Sequence, residues 1–160
     1  SAIQLLQDDF VDNLLKTINK MGVSPERIGL ELTESIFSSE YEEINSILSR
    51  LREIGIHIAI DDFGTGYSSF ARERELNIDC LKIDKHFIDK LLEIQPEEAI
   101  TSDIISMAHK MGHYVVAEGV EYEKQKQYLL ANDCDKIQGY LIGKPADEQA
   151  AVELLEKYNQ

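Results

Sequence analysis

A chain of 160 residues, 43% hydrophobic and 29% charged, has the size and make-up of one globular domain with a real core. Its formal net charge of −14 disfavours nonspecific binding to nucleic acid polymers or anionic lipid, and repels an anionic substrate unless bound cations reverse the sign locally. No apolar run approaches membrane-spanning length and no signal-peptide pattern opens the chain. Cys80 and Cys134 are too few and too far apart for a zinc motif, so they read as reduced core thiols of a cytoplasmic protein. His57, His86, His109 and His113 show no metal-ligand spacing and read as structural or surface residues.

In chain order, Asp8-Asp9 can cap a helix whose apolar face is Phe10, Leu14, Leu15, Ile18 and Met21, with Gly22 as its stop. A strand over Ile28 to Thr33 ends in Glu34-Ser35. Ser39 and Glu42 form a capping box for a helix burying Ile44, Ile47, Leu48, Leu51 and Ile54, closed by Gly55. Ile58-Ala-Ile60 is a buried strand that runs into Asp61-Asp62, followed by Gly64 and Gly66 and by Tyr67-Ser68-Ser69 as caps. A short helix is expected from Phe70 to Leu76. The third strand is Cys80 to Asp84. Pro96 opens a helix carrying Ile100, Ile104, Ile105, Ala108 and Met111, closed by Gly112. Tyr114 to Glu118 is the fourth strand and Gly119 follows it. A helix over Glu121 to Ala131 precedes a fifth strand, Lys136 to Ile142. Asp147 caps a last helix with Ala150, Ala151, Leu154 and Leu155 facing inward. Alternating strand and helix with short turns is the pattern of βα units on a parallel sheet.

Two adjacent aspartates at the end of a strand disfavour joint ionisation. A hard divalent cation such as Mg²⁺ or Mn²⁺ removes that cost; an Asx-turn with a helix cap is the alternative, and a single Asp would satisfy it. Side chains alternate across a strand. If Leu30, Leu32, Ile60, Leu81, Ile83 and Ala117 face the helices, then Glu31, Asp61, Lys82 and Glu118 converge on the other side from four successive strands. Asp84 shares parity with Lys82, and Gln138 occupies the corresponding zone of the last strand. Charges so placed are tolerated when paired or metal-bound.

Leu30-Glu-Leu-Thr-Glu-Ser35, Asp61-Asp-Phe-Gly-Thr-Gly-Tyr-Ser-Ser69, Leu81-Lys-Ile-Asp84, Val115-Val-Ala-Glu-Gly-Val-Glu121 and Gln138-Gly-Tyr140 with Lys144-Pro145 resemble the EAL family, in family order as far as about Pro145. The resemblance implies a bacterial cyclic di-GMP phosphodiesterase on a TIM-like βα barrel, hydrolysing cyclic di-GMP to linear pGpG with two Mg²⁺ or Mn²⁺ ions. It implies that Glu31, Asp61, Asp62 and Glu118 are metal ligands, with Asp61 supporting both ions. Lys82 corresponds to the lysine that holds and helps activate the attacking water, and Glu118 completes that network. Gln138, Glu121 and Asp84 are implied to be substrate-side or outer groups, and Glu34 the anchor of the loop after the aspartate pair. That loop is linked in the family to dimer contacts, so a homodimer is expected, with a sensor or diguanylate cyclase-like domain upstream in a longer parent.

The family's Glu-X-Leu segment and its metal-binding Asn would fall before Ser1. The expectation is therefore a partial EAL domain over 1–160: about five parallel strands of an incomplete barrel, which on its own turns over cyclic di-GMP poorly. Association between chains is one way to cover the open side. A non-catalytic cyclic di-GMP receptor or interaction domain of the same fold is the alternative function. A different metal-dependent barrel enzyme, such as an enolase-like one, also sets acids and a lysine at strand ends.

Overall fold

Five short strands, β1 (Gly29–Thr33), β2 (His57–Phe63), β3 (Cys80–Ile83), β4 (Tyr114–Ala117) and β5 (Lys136–Ile137), form one parallel sheet whose spatial order is their sequence order. The structure is a computed structural model that describes residues 2–7, 9–33, 36, 41–64 and 76–158. Its helices are α1 (Ala2–Leu5), α2 (Phe10–Met21), α3 (Tyr41–Glu53), α4 (Lys85–Lys90), α5 (Thr101–Lys110), α6 (Glu123–Ala131) and α7 (Glu148–Tyr158). Parallel crossovers are right-handed almost without exception, so a sheet that never reverses its order carries its crossover helices on one face. It lacks the switch point where doubly wound sheets bind ligands, and its free face is left to curl inward as in a βα barrel.

Burial follows that division. Leu32, Ile58, Ile60, Leu81, Ile83, Val115 and Ala117, on the helix side, are all buried. They pack on Ile44, Leu48 and Leu51 of α3 and on Ile104, Ile105 and Ala108 of α5, in one continuous core. The other face carries Glu31, Ala59, Asp61, Lys82, Tyr114 and Val116. Part of it lines a concavity of about 300 Å³.

At the amino ends of the strands one bracket occurs twice. Asp79, just before β3, accepts a hydrogen bond from the Ile58 amide of β2 at 2.9 Å and pairs with Arg52 of α3 at 2.7 Å. Asp135, just before β5, accepts from the Val115 amide of β4 at 2.8 Å and bonds His109 of α5 at 2.8 Å. In both, the carboxylate ties the second residue of the neighbouring strand to the last turn of the helix before that strand.

Several helix and strand expectations are corrected. Met21, Ile54, Ile100, Leu154 and Leu155 are exposed rather than inward. Pro96 opens a separate 3₁₀ turn, Pro96–Glu98, and α5 starts only at Thr101, so Thr101 takes the buried place expected of Ile100. The helix expected from Glu121 begins at Glu123, because the Gln125 side chain accepts the amides of Glu121 and Tyr122. The fifth strand stops at Ile137, since the chain turns at Gly139, whose carbonyl accepts the amides of Ile142 and Gly143. Gly22 does end α2 in a left-handed conformation, φ 65°, and Asp147 does cap α7 through the Ala150 amide. The expected helix over Phe70 to Leu76, the Tyr67-Ser68-Ser69 caps and Ser39 of the capping box fall, Leu76 apart, outside the described residues. Both cysteines are free, Cys80 buried and Cys134 half-buried.

Candidate active site at the carboxyl ends of the strands

Lys82 is the centre of the site. It lies on the inner face of β3, only 8% of its side chain exposed, and its ammonium stands 2.9 Å from Glu31 Oε1, 3.0 Å from Asp61 Oδ1 and 2.7 Å from Glu118 Oε1. The four charged groups expected to converge do converge, each from its own strand end, β1 to β4 in order. Burial pulls the Lys82 pKa down, but the bonds to Glu118, Glu31 and Asp61 outweigh it and hold the ammonium above its ordinary range. At neutral pH Lys82 is therefore a charged donor with no basic lone pair.

The placement of Asp62 needs a local irregularity. Strict alternation would turn neighbouring residues of β2 to opposite faces. Between β2 and β3, however, Ile60 pairs Leu81 and Phe63 pairs Ile83, so Asp61 and Asp62 together oppose the single residue Lys82. This is a β-bulge, and Asp62 takes φ 55°, a left-handed conformation that aspartate tolerates better than most residues. The bulge re-aims Asp62 so that oxygens of Asp61, Asp62 and Glu118 lie within 4.8 Å of one another. Desolvation, then the charges of Asp61 and Asp84, push the Asp62 carboxyl above its ordinary value, against Lys82.

The donor set fits a divalent cation. It consists of carboxylate oxygens, the chemistry that hard ions prefer. Asp61 Oδ1 is buried, and among the described residues its one close partner is the Lys82 ammonium at 3.0 Å, poorly aligned for a hydrogen bond. Among the described residues three acids pair with the one ammonium of Lys82 and Asp62 stands beside them, so acids outnumber cations there.

The remaining expected residues divide. Asp84 accepts the His86 amide at 2.9 Å and so caps α4, with its charge still felt by Asp62. Glu121 lies in a separate ion triad, 3.1 Å from Lys85, which also holds Asp89 at 2.7 Å. Gln138 is exposed at the edge of the inner concavity that Lys82 and Glu31 also line. Glu34 lies outside the described residues. Sequence reasoning missed Lys85 and the buried Gln125, which both hold the loop after Glu118. The one available signal was Gly119, directly behind an acid at a strand end.

The EAL domain family model matches residues 1–145. Among curated proteins, the chain is 39% identical over 157 residues to the cyclic di-GMP phosphodiesterase NbdA of Pseudomonas aeruginosa, covering 98% of this chain and 20% of that protein. The chain spans about a fifth of the length of the first curated relatives it matches. Among solved structures, the PaMucR phosphodiesterase in complex with c-di-GMP superposes with a TM-score of 0.86 at 35% identity, over 94% of this chain and 61% of that one. Klebsiella pneumoniae BlrP1 in a manganese/cy-diGMP complex gives a TM-score of 0.78 at 28% identity, over 89% of this chain and 36% of that one.

Proposed function

Because the chain belongs to the EAL domain family, we propose that it supplies catalytic groups of a metal-dependent phosphodiesterase that hydrolyses cyclic di-GMP to pGpG. The observation that carries this reading is the meeting of Asp61, Asp62 and Glu118 oxygens beside a buried lysine at the strand ends. The relative named as a cyclic di-GMP phosphodiesterase and the neighbour solved with c-di-GMP support the choice of substrate.

In this proposal Asp61, Asp62 and Glu118 hold divalent ions, with Glu31 contributing from the far side of Lys82. Mg²⁺ or Mn²⁺ fits the all-oxygen set, and two such ions would lower the pKa of a bound water and offset charge on the phosphate. Lys82, kept protonated by its three acids, would hold the attacking water through an N–H released from one of them when that acid turns to an ion. Gln138 meets the substrate from the rim of the inner concavity. Asp84 and Glu121 act from behind, one through the start of α4 and the other through Lys85, and Glu34 anchors the loop after the aspartates. A homodimer and an upstream sensor or cyclase domain belong to the same proposal.

The test is chromatographic detection of pGpG from cyclic di-GMP by the full-length protein with Mg²⁺ or Mn²⁺. Asp61→Ala should lower turnover by more than about 100-fold, beyond the usual cost of losing an outer partner of a metal site. Turnover that survives Asp61→Ala or a chelator overturns the reading. Metal-independent nucleotide binding without hydrolysis identifies a receptor instead.

A further inference from the structure

The loop that carries Glu118 away from β4 is clamped from several directions. The Glu118 amide donates to Ile83 at the end of β3, and the Val120 amide donates to Gln138 just past β5, each at 3.0 Å. Gln125, fully buried on α6, accepts the Glu121 and Tyr122 amides at 2.8 and 2.9 Å and donates to the Ile88 carbonyl of α4 at 3.0 Å. Lys85, the first residue of α4, completes the clamp. Its ammonium reaches Glu121, and its aliphatic stem lies so close to Gly119 that a Cβ there would stand 2.3 Å from Lys85 Cγ. Gly119 has φ 69°, so glycine suits both the turn and the passage of the lysine stem.

We infer that Lys85 is a positioning residue for Glu118: its stem under Gly119 and its bond to Glu121 fix the peptide that sets the Glu118 carboxylate against Asp61, Asp62 and Lys82. The inference rests on the hydrolase reading only in treating Glu118 as a metal ligand. Lys85, Asp89 and Glu121 are each about one-third to one-half exposed, and ion pairs of that kind add little to overall stability. Here the pairing secures geometry at one loop. Lys85→Met keeps most of the stem and removes the charge, which separates the two contributions.

Hydrogen exchange and Mn²⁺ calorimetry on the full-length protein decide the matter. In Lys85→Met the amides of Glu118, Val120 and Glu121 should exchange about tenfold faster while those of Val115 and Ala117 are unchanged, the pattern of a local opening. Mn²⁺ affinity should fall about tenfold, the low end for an outer partner of a metal site, with an unchanged thermal midpoint. Lys85→Arg should recover both. Gly119→Ala should disturb the same amides, and Lys85→Ala added to it should do less harm than the sum of the two single changes, since cutting back the stem removes most of the atoms that the added methyl would strike. The proposal is overturned if Lys85→Met leaves exchange at Glu118 to Glu121 as in the wild type, or if exchange rises while Mn²⁺ affinity holds. A wild-type protein that binds no Mn²⁺ refutes the hydrolase reading and with it the link to metal, and the exchange pattern then still decides whether Lys85 holds the loop.

Discussion

At the amino ends of the strands Asp79 and Asp135 are each matched by one backbone amide and one basic side chain, whereas at the carboxyl ends, among the described residues, Glu31, Asp61 and Glu118 surround the ammonium of Lys82 and Asp62 joins two of them. The first arrangement gives each carboxylate partners of its own and serves to lock neighbouring strands to their helices. Among the described residues the second leaves more acids than cations at one place. In βα barrels the carboxyl ends hold the chemistry and the amino ends the stability. Here the balance of acids against cations separates the two ends.

The sharpest way to break the comparison is to remove Lys82. Lys82→Met should abolish turnover and lower stability by about 3 kcal/mol, because deleting one partner of a buried charge network leaves the others uncompensated. Added Mn²⁺ should restore part of that loss, measured as a rise in the denaturant midpoint. If the variant is as stable as the wild type without metal, the acids are not in mutual conflict and the contrast between the ends fails.

Asp79→Ala should do the reverse. Losing a charge-assisted acceptor for the Ile58 amide and for Arg52 should cost about 2 kcal/mol of stability. Turnover per folded molecule should stay at the wild-type level at a temperature where the variant remains folded. A fall in Mn²⁺ affinity in this variant would show that the two ends are coupled.

The smallest expected effect concerns pH. His113, at the amino end of β4, is buried, and among the described residues only the Ile78 backbone comes near enough to its ring to favour the charged form by hydrogen bonding, without a well-aligned bond. Burial, and secondarily the charge of Arg52, hold its pKa below the ordinary 6.5. The unfolded chain therefore takes up the proton more readily, so stability is full above 6.5 and falls as the pH drops toward the folded value. Asp135 adds a second loss at lower pH. Burial opposes its ionisation, but the bonds from His109 and the Val115 amide prevail and hold its pKa below 3.8, so its contribution disappears as the pH falls from there. His113→Phe should flatten the first part of this profile in a denaturation series and leave the second.

Much of the site could be read before any coordinates. A period of two along four apolar strands puts Glu31, Asp61, Lys82 and Glu118 on one face, and the parallel register then brings them together. Periodicity could not place Asp62, because the bulge that re-aims it depends on how β2 pairs with β3. It also could not foresee that the chain would turn at Gly139, against the backbone of Val120, so that β5 ends two residues after it starts. The phase of α5 differs from that expectation for a similar reason, since the 3₁₀ turn that opens at Pro96 leaves Ile100 facing outward.

The sequence by itself determined the alternation of strands and helices, the covered face of the sheet, and the acids and lysine aimed at the other, because those follow from side-chain spacing along a single element. Tertiary structure alone decided the two-against-one pairing at Asp61 and Asp62, the clamp of Lys85 and Gln125 behind Glu118, and the separate triad that holds Glu121. Each of these depends on contacts between segments distant in the chain, and local propensity carries no information about which neighbour a backbone amide or an ammonium will meet.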